Sequence, residues 1–285
     1  MPLKNFWYSY RNILLRSILR KNYFVFLRKV FGTLYKFLIN FLKINFSNHI
    51  INLDKLDKKK FKKYNLDKLF FHFNCDKGSY WYHNHTKIKS HNYSFFYEKY
   101  FKNLKNKKIN ILEIGSHEGR GIASFYFFFP KANLVGANIN PFQMKYCSRR
   151  ITELFVDVSS REILKNLANY LKYDFDIIID DASHNLRDIL ITLPIFFKKL
   201  KKDGYYVIED ANQFKVYKEL NPYNEVLTPL NILSKIKNNI KFYSKHLSSD
   251  DAKYLKKNIK TFLVKKGTSI VNGHNISDII FLRKK

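Results

Sequence analysis

The chain has 285 residues and a formal net charge of +29, a length that suits one large α/β domain with an appendage. Two cysteines, Cys75 and Cys147, exclude a disulfide-based scaffold and favour a reducing, cytoplasmic setting. The charge is typical of proteins that bind nucleic acid or an anionic membrane. However, Lys, Asn, Ile, Phe and Tyr are abundant together, so an A+T-rich genome is an alternative explanation of the charge.

The first 53 residues contain no acidic side chain. Apolar residues recur there at spacings of four and three, with lysines on the other side: Leu27, Phe31, Leu34, Leu38 and Phe41 against Lys29, Lys36 and Lys43. This spacing predicts a basic amphipathic helix with too many charged residues to cross a bilayer. No cleavage site of a secretory signal follows it. Two interpretations remain open, namely peripheral membrane contact through residues 1–45, and packing on the rest of the chain or on a partner subunit.

Residues 54–64 (DKLDKKKFKKY) form a charged stretch that suits a linker or an exposed helix. We therefore divide the chain into a basic amphipathic helical arm and linker at 1–64 and a compact domain at 65–285. Several potential zinc ligands crowd the start of this domain, but no pair has the spacing of a zinc finger: His72, Cys75, His83, His85 and His91.

Strand and helix patterns alternate from Ile109 onward, which predicts a mostly parallel sheet covered by helices on both faces. Strands are predicted at 109–114, 133–138, 152–156, 175–180 and 205–209, a terminal strand pair at 260–265 and 278–283, and helices at 122–129 and 185–200. Residues 211–258 form a long insertion broken by Pro222 and Pro229. Such insertions often shape a substrate site.

The first of these strands runs into a glycine-punctuated turn, NILEIGSHEGRG, with glycines at 115, 119 and 121. Glycines let the backbone approach a ligand closely, and the following helix offers free N–H groups, so the turn predicts a site for a nucleotide-like ligand. Its G-x-x-x-G-x-G spacing differs from the G-x-G-x-x-G of a dinucleotide site, which argues against NAD. With Glu113 in front, the turn resembles motif I of the S-adenosylmethionine-dependent methyltransferases, although ordinary strand-turn-helix junctions share this pattern.

Two further strands end in acid pairs, Asp180–Asp181 and Glu209–Asp210, with one crossover helix between them. A crossover in a parallel sheet brings both pairs to the same edge, where carboxylates can share a cation such as Mg²⁺. His184 lies in the loop at this edge and could accept a proton from a substrate hydroxyl. The alternative is that Asp181, Ser183 or Asn185 only caps the following helix.

The run IDDASHNLRDILITLPIFFKKLKKDGYYVIED (179–210) resembles the mycinamicin and macrocin type sugar O-methyltransferases, whose pattern is I-D-D-G-S-H, a helix, then G-G-x-Y-V-I-E-D. Upstream, CDKGSYWYHNH (75–85) and HNYSFFYEKYF (91–101) resemble their T-D-K-G and H-x-Y-x-x-x-Y-E segments. The likeness covers roughly residues 70–210. In that family the upstream segments lie beside the active site, so substrate contacts are the preferred interpretation of their histidines.

The resemblance implies a Rossmann-like class I methyltransferase fold of the α/β class, with a mostly parallel seven-stranded sheet and helices on both faces, here with an N-terminal helical arm. It implies metal-assisted methyl transfer from S-adenosylmethionine to a hydroxyl of a sugar or polyol. The acceptor would be a small molecule or a glycan, in glycan or secondary-metabolite biosynthesis.

Carried over residue by residue, the resemblance implies His184 as general base and Asp181 and Asp210 as Mg²⁺ ligands. Glu209, in the same acid pair as Asp210, is predicted as a further metal ligand. The implied S-adenosylmethionine contacts are Glu113, Gly115, Ser116, Gly119, Asn138, Asp157 and Asp180. Asn138 stands where the family has an acid that holds the ribose diol, so a charged clamp is lost. Ala182 in place of glycine and Cys75 in place of threonine are milder departures.

Two other functions remain open at this point. An RNA methyltransferase would explain the charge, but the chain has no N-P-P-Y-like tetrapeptide and no RNA-binding module, so no specific nucleic acid is expected. A non-catalytic scaffold, docked on a membrane or a partner, would explain Asn138 and the arm. The expected location is the cytoplasm, with peripheral contact at the inner face of the membrane and a homo-oligomer both left open.

Overall fold

The computed structural model describes residues 50–222 and 224–285. The predicted arm at 1–45 lies outside these residues.

The sheet at the centre of the fold has seven strands: β1 Asn110–Ile114, β2 Asn133–Asn138, β3 Ile151–Phe155, β4 Phe175–Asp180, β5 Leu200–Ile208, β6 Ile259–Lys266 and β7 Asp278–Lys284. Their order across the sheet is β6-β7-β5-β4-β1-β2-β3. β7 is antiparallel to both its neighbours, and β1 to β5 pair in parallel, so the predicted fold class is confirmed.

Helices cover both faces of this sheet. Within the described residues they are α1 Lys58–Lys62, α2 Leu66–His72, α3 Ser94–Phe101, α4 Arg120–Phe128, α5 Arg161–Tyr170, α6 Leu186–Phe197, α7 Pro229–Lys237 and α8 Ser249–Asn258. The side chains of β4 alternate between two apolar cores, with Ile178 in one and Ile177 and Ile179 in the other. Helices α5 to α8 contribute to the first core and α1 to α4 to the second.

Most predicted strand boundaries lie within a residue or so of the observed ones, but β5 starts five residues before its predicted start at Tyr205. The predicted helix 185–200 correspondingly ends at Phe197. The register between β4 and β5 shifts after Leu200, and Asp203 has a positive φ of 58°, so the strand begins with an irregular stretch. Because the sequence KKDG at this start is charged, it does not show the apolar pattern from which a buried strand is predicted.

The insertion at 211–258 forms the helices α7 and α8 rather than one loop. Thr228 begins α7 with a capping box to Asn231, and Pro229 occupies the first turn, where its missing N–H is tolerated. Ile232 and Leu255 are fully buried in the core beside α6. Much of the insertion therefore covers a sheet face.

The packed domain begins upstream of Asn65. Ile51–Asn52 forms a short parallel pair with Tyr146–Cys147, and the charged stretch 54–64 contains helix α1, whose Phe61 is buried. The Asp54 carboxylate accepts a hydrogen bond of 2.7 Å from the hydroxyl of Tyr126 in α4. In the described residues, no helix combines the length and apolar character that crossing a bilayer requires.

Candidate active site

The carboxyl ends of β1, β4 and β5, three adjacent strands, carry the predicted turn and acid pairs. Gly115 follows β1 with a φ of +92°, and a β-carbon there would lie 2.0 Å from the carbonyl oxygen of Asp181. This contact requires glycine, because any side chain would collide with the backbone after β4. The glycine turn and the first acid pair are therefore in direct contact.

Asp181, His184 and Asp210 come together at this edge. Nε2 of His184 lies 3.8 Å from Oδ1 of Asp181 and 3.9 Å from Oδ2 of Asp210. One ligand atom from each residue lies within 4.8 Å of the others, a spacing that a single cation can bridge. The predicted convergence of the two acid pairs and the histidine is thus observed in the structure.

The loop that carries His184 is held by its own hydrogen bonds. Asn185 caps α6 by accepting a hydrogen bond from N–H of Arg187, and the hydroxyl of Ser183 donates to Asp188. The capping alternative therefore applies to Asn185 and not to Asp181. His184 and Asp210 both have left-handed backbones, with φ of 52° and 50°. Such conformations are unfavourable for non-glycine residues and are common at functional sites.

The upstream segment supplies partners to the acids. The hydroxyl of Tyr93 donates to Oδ1 of Asp210 at 2.6 Å, and Nδ1 of His91 lies 3.4 Å from the same oxygen. The hydroxyl of Tyr97 donates to Oε1 of Glu209. The H-x-Y-x-x-x-Y part of the resemblance thus corresponds to side chains that contact both acids of the second pair.

Lys77, in the CDKG stretch, is the residue that sequence reasoning missed. Its side chain is buried, and Nζ contacts Oδ2 of Asp181, Oε2 of Glu209 at 2.7 Å and Oε1 of Glu113 at 3.3 Å. Burial opposes its charge, but the three carboxylates outweigh burial and raise the pKa of Lys77 well above its ordinary value. The available signal was the position of Lys77 in the CDKG stretch, which resembles the T-D-K-G segment of the family.

Burial raises the pKa of the acids in this cluster. The pKa of Glu113 and that of Asp180 are each raised to about 7, mainly by burial. Burial also raises the pKa of Asp181 and of Glu209, against the lowering effect of the Lys77 ammonium. The cluster therefore carries more acidic groups than Lys77 alone compensates.

A cavity of about 560 Å³ opens at this edge, within the usual size range of ligand sites. The residues that line its two sides follow different strands of the sheet. The loops after β1, β2 and β3 contribute Gly115, His117, Asn138, Ile139, Val156, Asp157, Val158 and Ser159. The segments after β4 and β5, the first turn of α6 and the upstream segment contribute Asp181, Ala182, Ser183, His184, Asp188, Asp210, Gln213, Asp76 and His91.

Of the predicted cofactor contacts, Gly115, Asn138 and Asp157 line this cavity, and Glu113, Ser116, Gly119 and Asp180 do not. Glu113 and Asp180 are buried behind the sheet edge, on Lys77 and on the hydroxyl of Tyr206, respectively. Ser116 is also buried.

The remaining predicted contact, Gly119, is the N-cap of α4 and faces a neighbouring side chain. A β-carbon at this position would lie 1.9 Å from Sδ of Met144. The φ of +79° at Gly119 is the main reason for glycine, and the close contact with the methionine side chain adds to it.

Glu209 is a correction to the predicted metal ligands. Both of its carboxylate oxygens are bound, Oε2 by Lys77 and Oε1 by Tyr97, and its side chain is buried away from the cavity. Asp181 and Asp210 instead each direct one oxygen toward His184. Two carboxylates and an imidazole fit a divalent cation, and the carboxylate oxygens are of the type that Mg²⁺ prefers.

Asn138 lines the cavity at the end of β2, but the polar atoms of its side-chain amide form hydrogen bonds with the neighbouring loops. Nδ2 donates to the carbonyl oxygens of Asn140 at 3.2 Å and His117 at 3.4 Å, and Oδ1 accepts from N–H of Ile139. Asp157 likewise accepts hydrogen bonds from the N–H and hydroxyl of Ser159.

The zinc alternative has no support among the described residues, where the potential metal-binding group is Asp181, His184 and Asp210. His72 packs on the Phe61 and Phe73 rings, and His83 lies in an exposed hairpin, Tyr80–His83 with Thr86–Lys89. His91 alone of the five crowded zinc candidates lines the cavity.

Residues 105–267, more than half of the chain, match the family described as Methyltransferase domain. The chain belongs to this family. The resemblance stated from the sequence is confirmed by two relatives in particular. Mycinamicin VI 2''-O-methyltransferase of Micromonospora griseorubida is 30% identical over 122 residues, which cover 40% of this chain and 30% of the relative. L-olivosyl-oleandolide 3-O-methyltransferase of Streptomyces antibioticus is 26% identical over 160 residues, 51% of this chain and 37% of the relative.

A solved structure of similar fold is the MycE methyltransferase from the mycinamycin biosynthetic pathway, in complex with Mg, SAH and Mycinamycin VI. It superimposes with a TM-score of 0.57 at 22% identity, over 78% of this chain and 55% of that chain. This likeness establishes the fold. The chain spans about a third of the length of the two curated relatives.

Proposed function

We propose that this methyltransferase-domain protein is an O-methyltransferase that transfers a methyl group from S-adenosylmethionine to a hydroxyl of a sugar or polyol, with Mg²⁺ as metal cofactor. The observation that carries the proposal is the Asp181–His184–Asp210 cluster at one side of a cavity whose other side is formed by the loops after β1, β2 and β3. Proton acceptor and cation ligands therefore share one space with a site for a nucleoside.

The residues on the two sides of the cavity have different proposed roles in binding. Gly115 and Asn138 line the side proposed for the ribose and methionine portions, and Asp157 with its neighbours lines the side proposed for the adenine. S-adenosylmethionine, when bound, supplies the methyl group from its sulfonium. The polar cavity wall near Asp210, formed by Asp76, His91 and Gln213, suits hydrogen bonding to a hydroxylated acceptor.

Asp181 and Asp210 would hold the cation, which when bound lowers the pKa of the acceptor hydroxyl. His184 would accept the proton of that hydroxyl on Nε2, the atom that faces both carboxylates. Proton acceptance by a positioned imidazole contributes about 10²- to 10⁴-fold to a rate.

His184 could instead ligate the cation through the same atom, and one variant separates the two roles. We expect His184→Ala to lose about 10²-fold or more in turnover. As a base, His184 would be dispensable for binding, so calorimetry should show near-normal affinity for S-adenosylmethionine and Mn²⁺. Turnover comparable to wild type would refute the base, and loss of Mn²⁺ binding would reassign His184 as a ligand. His274→Ala, at an exposed position in the short strand His274–Asn275, is the control.

The acceptor is sought in extracts of cells that lack the gene. The purified protein is incubated with isotopically methyl-labelled S-adenosylmethionine and with glycan, small-molecule or RNA fractions of such extracts. Label in a sugar hydroxyl, matched by one missing CH₂ in glycans of the deletion strain by mass spectrometry, is the expected result. Label confined to RNA would contradict the proposal in favour of the nucleic-acid alternative.

Peripheral contact with the inner face of the membrane, through residues 1–45, is a second part of the proposal. It is supported by the lack of acids before Asp54 and by the amphipathic spacing. We expect deletion of 1–45 to abolish co-sedimentation with vesicles that contain anionic lipid. Equal sedimentation of the full and shortened chains would remove this part of the proposal, and light scattering of both would show whether the arm forms a homo-oligomer.

A further inference from the structure

Lys77 connects the ends of three neighbouring strands. Its Nζ contacts Glu113 on β1, Asp181 directly after β4 and Glu209 directly after β5. An ammonium group has three N–H donors, so its hydrogen-bonding capacity matches the three carboxylates around it. Only 2% of Lys77 is exposed, and it does not line the cavity. Any influence on a bound molecule therefore passes through its partners.

Asp181 is the partner that reaches the cavity. Its Oδ2 is held by Lys77, while Oδ1 faces Nε2 of His184 at 3.8 Å. Asp210 has the same arrangement, because Tyr93 binds Oδ1 and Oδ2 faces His184. Each carboxylate thus has one oxygen fixed by the upstream segment and one directed toward the cation site.

We propose that Lys77 is a positioning residue of the methyl-transfer site, which fixes the Asp181 carboxylate so that Oδ1 is presented to the cation and to His184. This inference rests on the proposed function. Groups that orient metal ligands in this way typically affect metal affinity 10- to 100-fold.

Gly121 provides an independent reason to regard the Lys77 contacts as specific. A β-carbon at this position, in the first turn of α4, would lie 2.6 Å from Oε1 of Glu113 and 3.0 Å from Cε of Lys77. Its φ is not in the left-handed region, so glycine is not needed for the backbone. The third glycine of the turn therefore makes room for the ion pair.

The competing interpretation is that Lys77 only compensates buried negative charge. Removing Lys77 alone cannot distinguish the two, because Glu113 and Glu209 would be left as uncompensated buried acids and the fold would be destabilised. The two acids must therefore be neutralised in the same variant. Lys77→Met/Glu113→Gln/Glu209→Gln removes the ammonium and neutralises its two buried partners. The remaining partner, Asp181, then loses the contact that the positioning role requires.

The matched control is Glu113→Gln/Glu209→Gln, which keeps Lys77 on Asp181. Calorimetry measures the affinity of each purified full-length variant for Mn²⁺ and, separately, for S-adenosylmethionine, and circular dichroism with thermal melting checks the fold. We expect Mn²⁺ affinity to be about 10- to 100-fold weaker in the triple variant than in the double. S-adenosylmethionine affinity should be the same in both. Lys77→Arg, which keeps the charge, should lie between wild type and the triple variant.

Equal Mn²⁺ affinity in the triple and double variants would overturn the positioning role. Failure of only the triple variant to fold would also overturn it, since Lys77 would then be required for the structure itself. Absence of Mn²⁺ binding by the wild-type protein would overturn the metal-assisted function and this inference together. Lys201→Met, which removes an ion pair to Asp176 at the opposite end of β4, should leave Mn²⁺ affinity unchanged.

Discussion

The hydroxyl of Tyr93 donates a hydrogen bond of 2.6 Å to Oδ1 of Asp210, although 117 positions separate the two residues in the chain. Tyr93 is fully buried and is the N-cap residue of α3, so its ring is held by the second core. Because the hydroxyl occupies one carboxylate oxygen, Asp210 directs the other toward His184. A rigid aromatic side chain from the upstream segment therefore sets the direction of a predicted metal ligand.

Tyr93→Phe tests this relationship. A hydrogen bond to a charged group contributes about 1.5–3 kcal/mol, so we expect the free energy of unfolding to fall by about that amount. We also expect Mn²⁺ affinity to fall roughly 10-fold, because Asp210 loses its fixed orientation. Urea denaturation and calorimetry measure the two effects separately.

Tyr97→Phe is the matched control for that variant. Tyr97 is also fully buried and donates to an acid, but this acid is Glu209, which does not face the cavity. Stability should fall in a similar way while Mn²⁺ affinity stays close to wild type. If both variants bind Mn²⁺ equally, the Tyr93 hydroxyl has no specific role at the cation site.

Asp180→Asn should stabilise the protein above pH 7. Burial raises the pKa of Asp180 from 3.8 to about 7. An acid with a higher pKa in the folded state favours folding while it is protonated. That contribution is complete below about pH 4 and is lost as the pH rises toward 7. The difference of roughly 3 pKa units corresponds to at most about 4 kcal/mol.

Asparagine has nearly the same shape, carries no charge and can still accept the hydrogen bond from Tyr206. Urea denaturation at pH 5 and at pH 8.5 should therefore show a gain that is larger at the higher pH. Asp176→Asn, at the other end of β4, removes the ion pair to Lys201 and should give no such gain. Lower stability of Asp180→Asn at pH 8.5 would contradict the prediction. Unchanged affinity for S-adenosylmethionine would agree with the absence of Asp180 from the cavity wall.

The sheet and the edge that bears the site follow from local sequence patterns. Buried parallel strands are apolar runs, and crossover connections bring successive strand ends to one edge, so acids after β4 and β5 had to meet there. His184 is fixed in the same way, because it lies three residues after Asp181. These features depend on short-range periodicity and on a general rule of handedness.

Which acid of each pair faces the cavity does not follow from the strand patterns, and it was the family resemblance that selected Asp181 and Asp210. Consecutive residues at a strand end point to opposite sides, so only one of Asp180 and Asp181 can reach the cavity, and the same holds for Glu209 and Asp210. The choice depends on Lys77, which occupies Glu209, and on the position of α3. That contact spans 132 positions, beyond any local pattern.

Gly115→Ala should be far more destabilising than alanine at another glycine with positive φ. Gly273 has a φ of +77°, and a β-carbon there would meet no atom of the described residues within 4 Å, so alanine costs only the backbone penalty of about 1–2 kcal/mol. At Gly115 the β-carbon would also meet the carbonyl oxygen of Asp181 at 2.0 Å. We expect a further loss of about 3 kcal/mol or more, since β1 and β4 must separate. Equal unfolding free energies of the two variants would contradict the close approach.

Asn138→Asp restores the acid that the family pattern has at the end of β2, yet we expect it not to strengthen binding of S-adenosylmethionine. The amide nitrogen of Asn138 donates to the carbonyl oxygens of His117 and Asn140, and a carboxylate would place a negative oxygen against both. The loop should then lose about 1–2 kcal/mol of stability.

Asn138→Ala is the reference for this variant, because it removes the donor without adding charge. Calorimetry should rank S-adenosylmethionine affinity as wild type first, with both variants weaker. Tighter binding by Asn138→Asp than by wild type would show that the ribose hydroxyls outcompete the two carbonyl contacts. In that case Asn138 would be a weakened clamp, whereas the structure supports a loop-fixing amide around which this cavity is built.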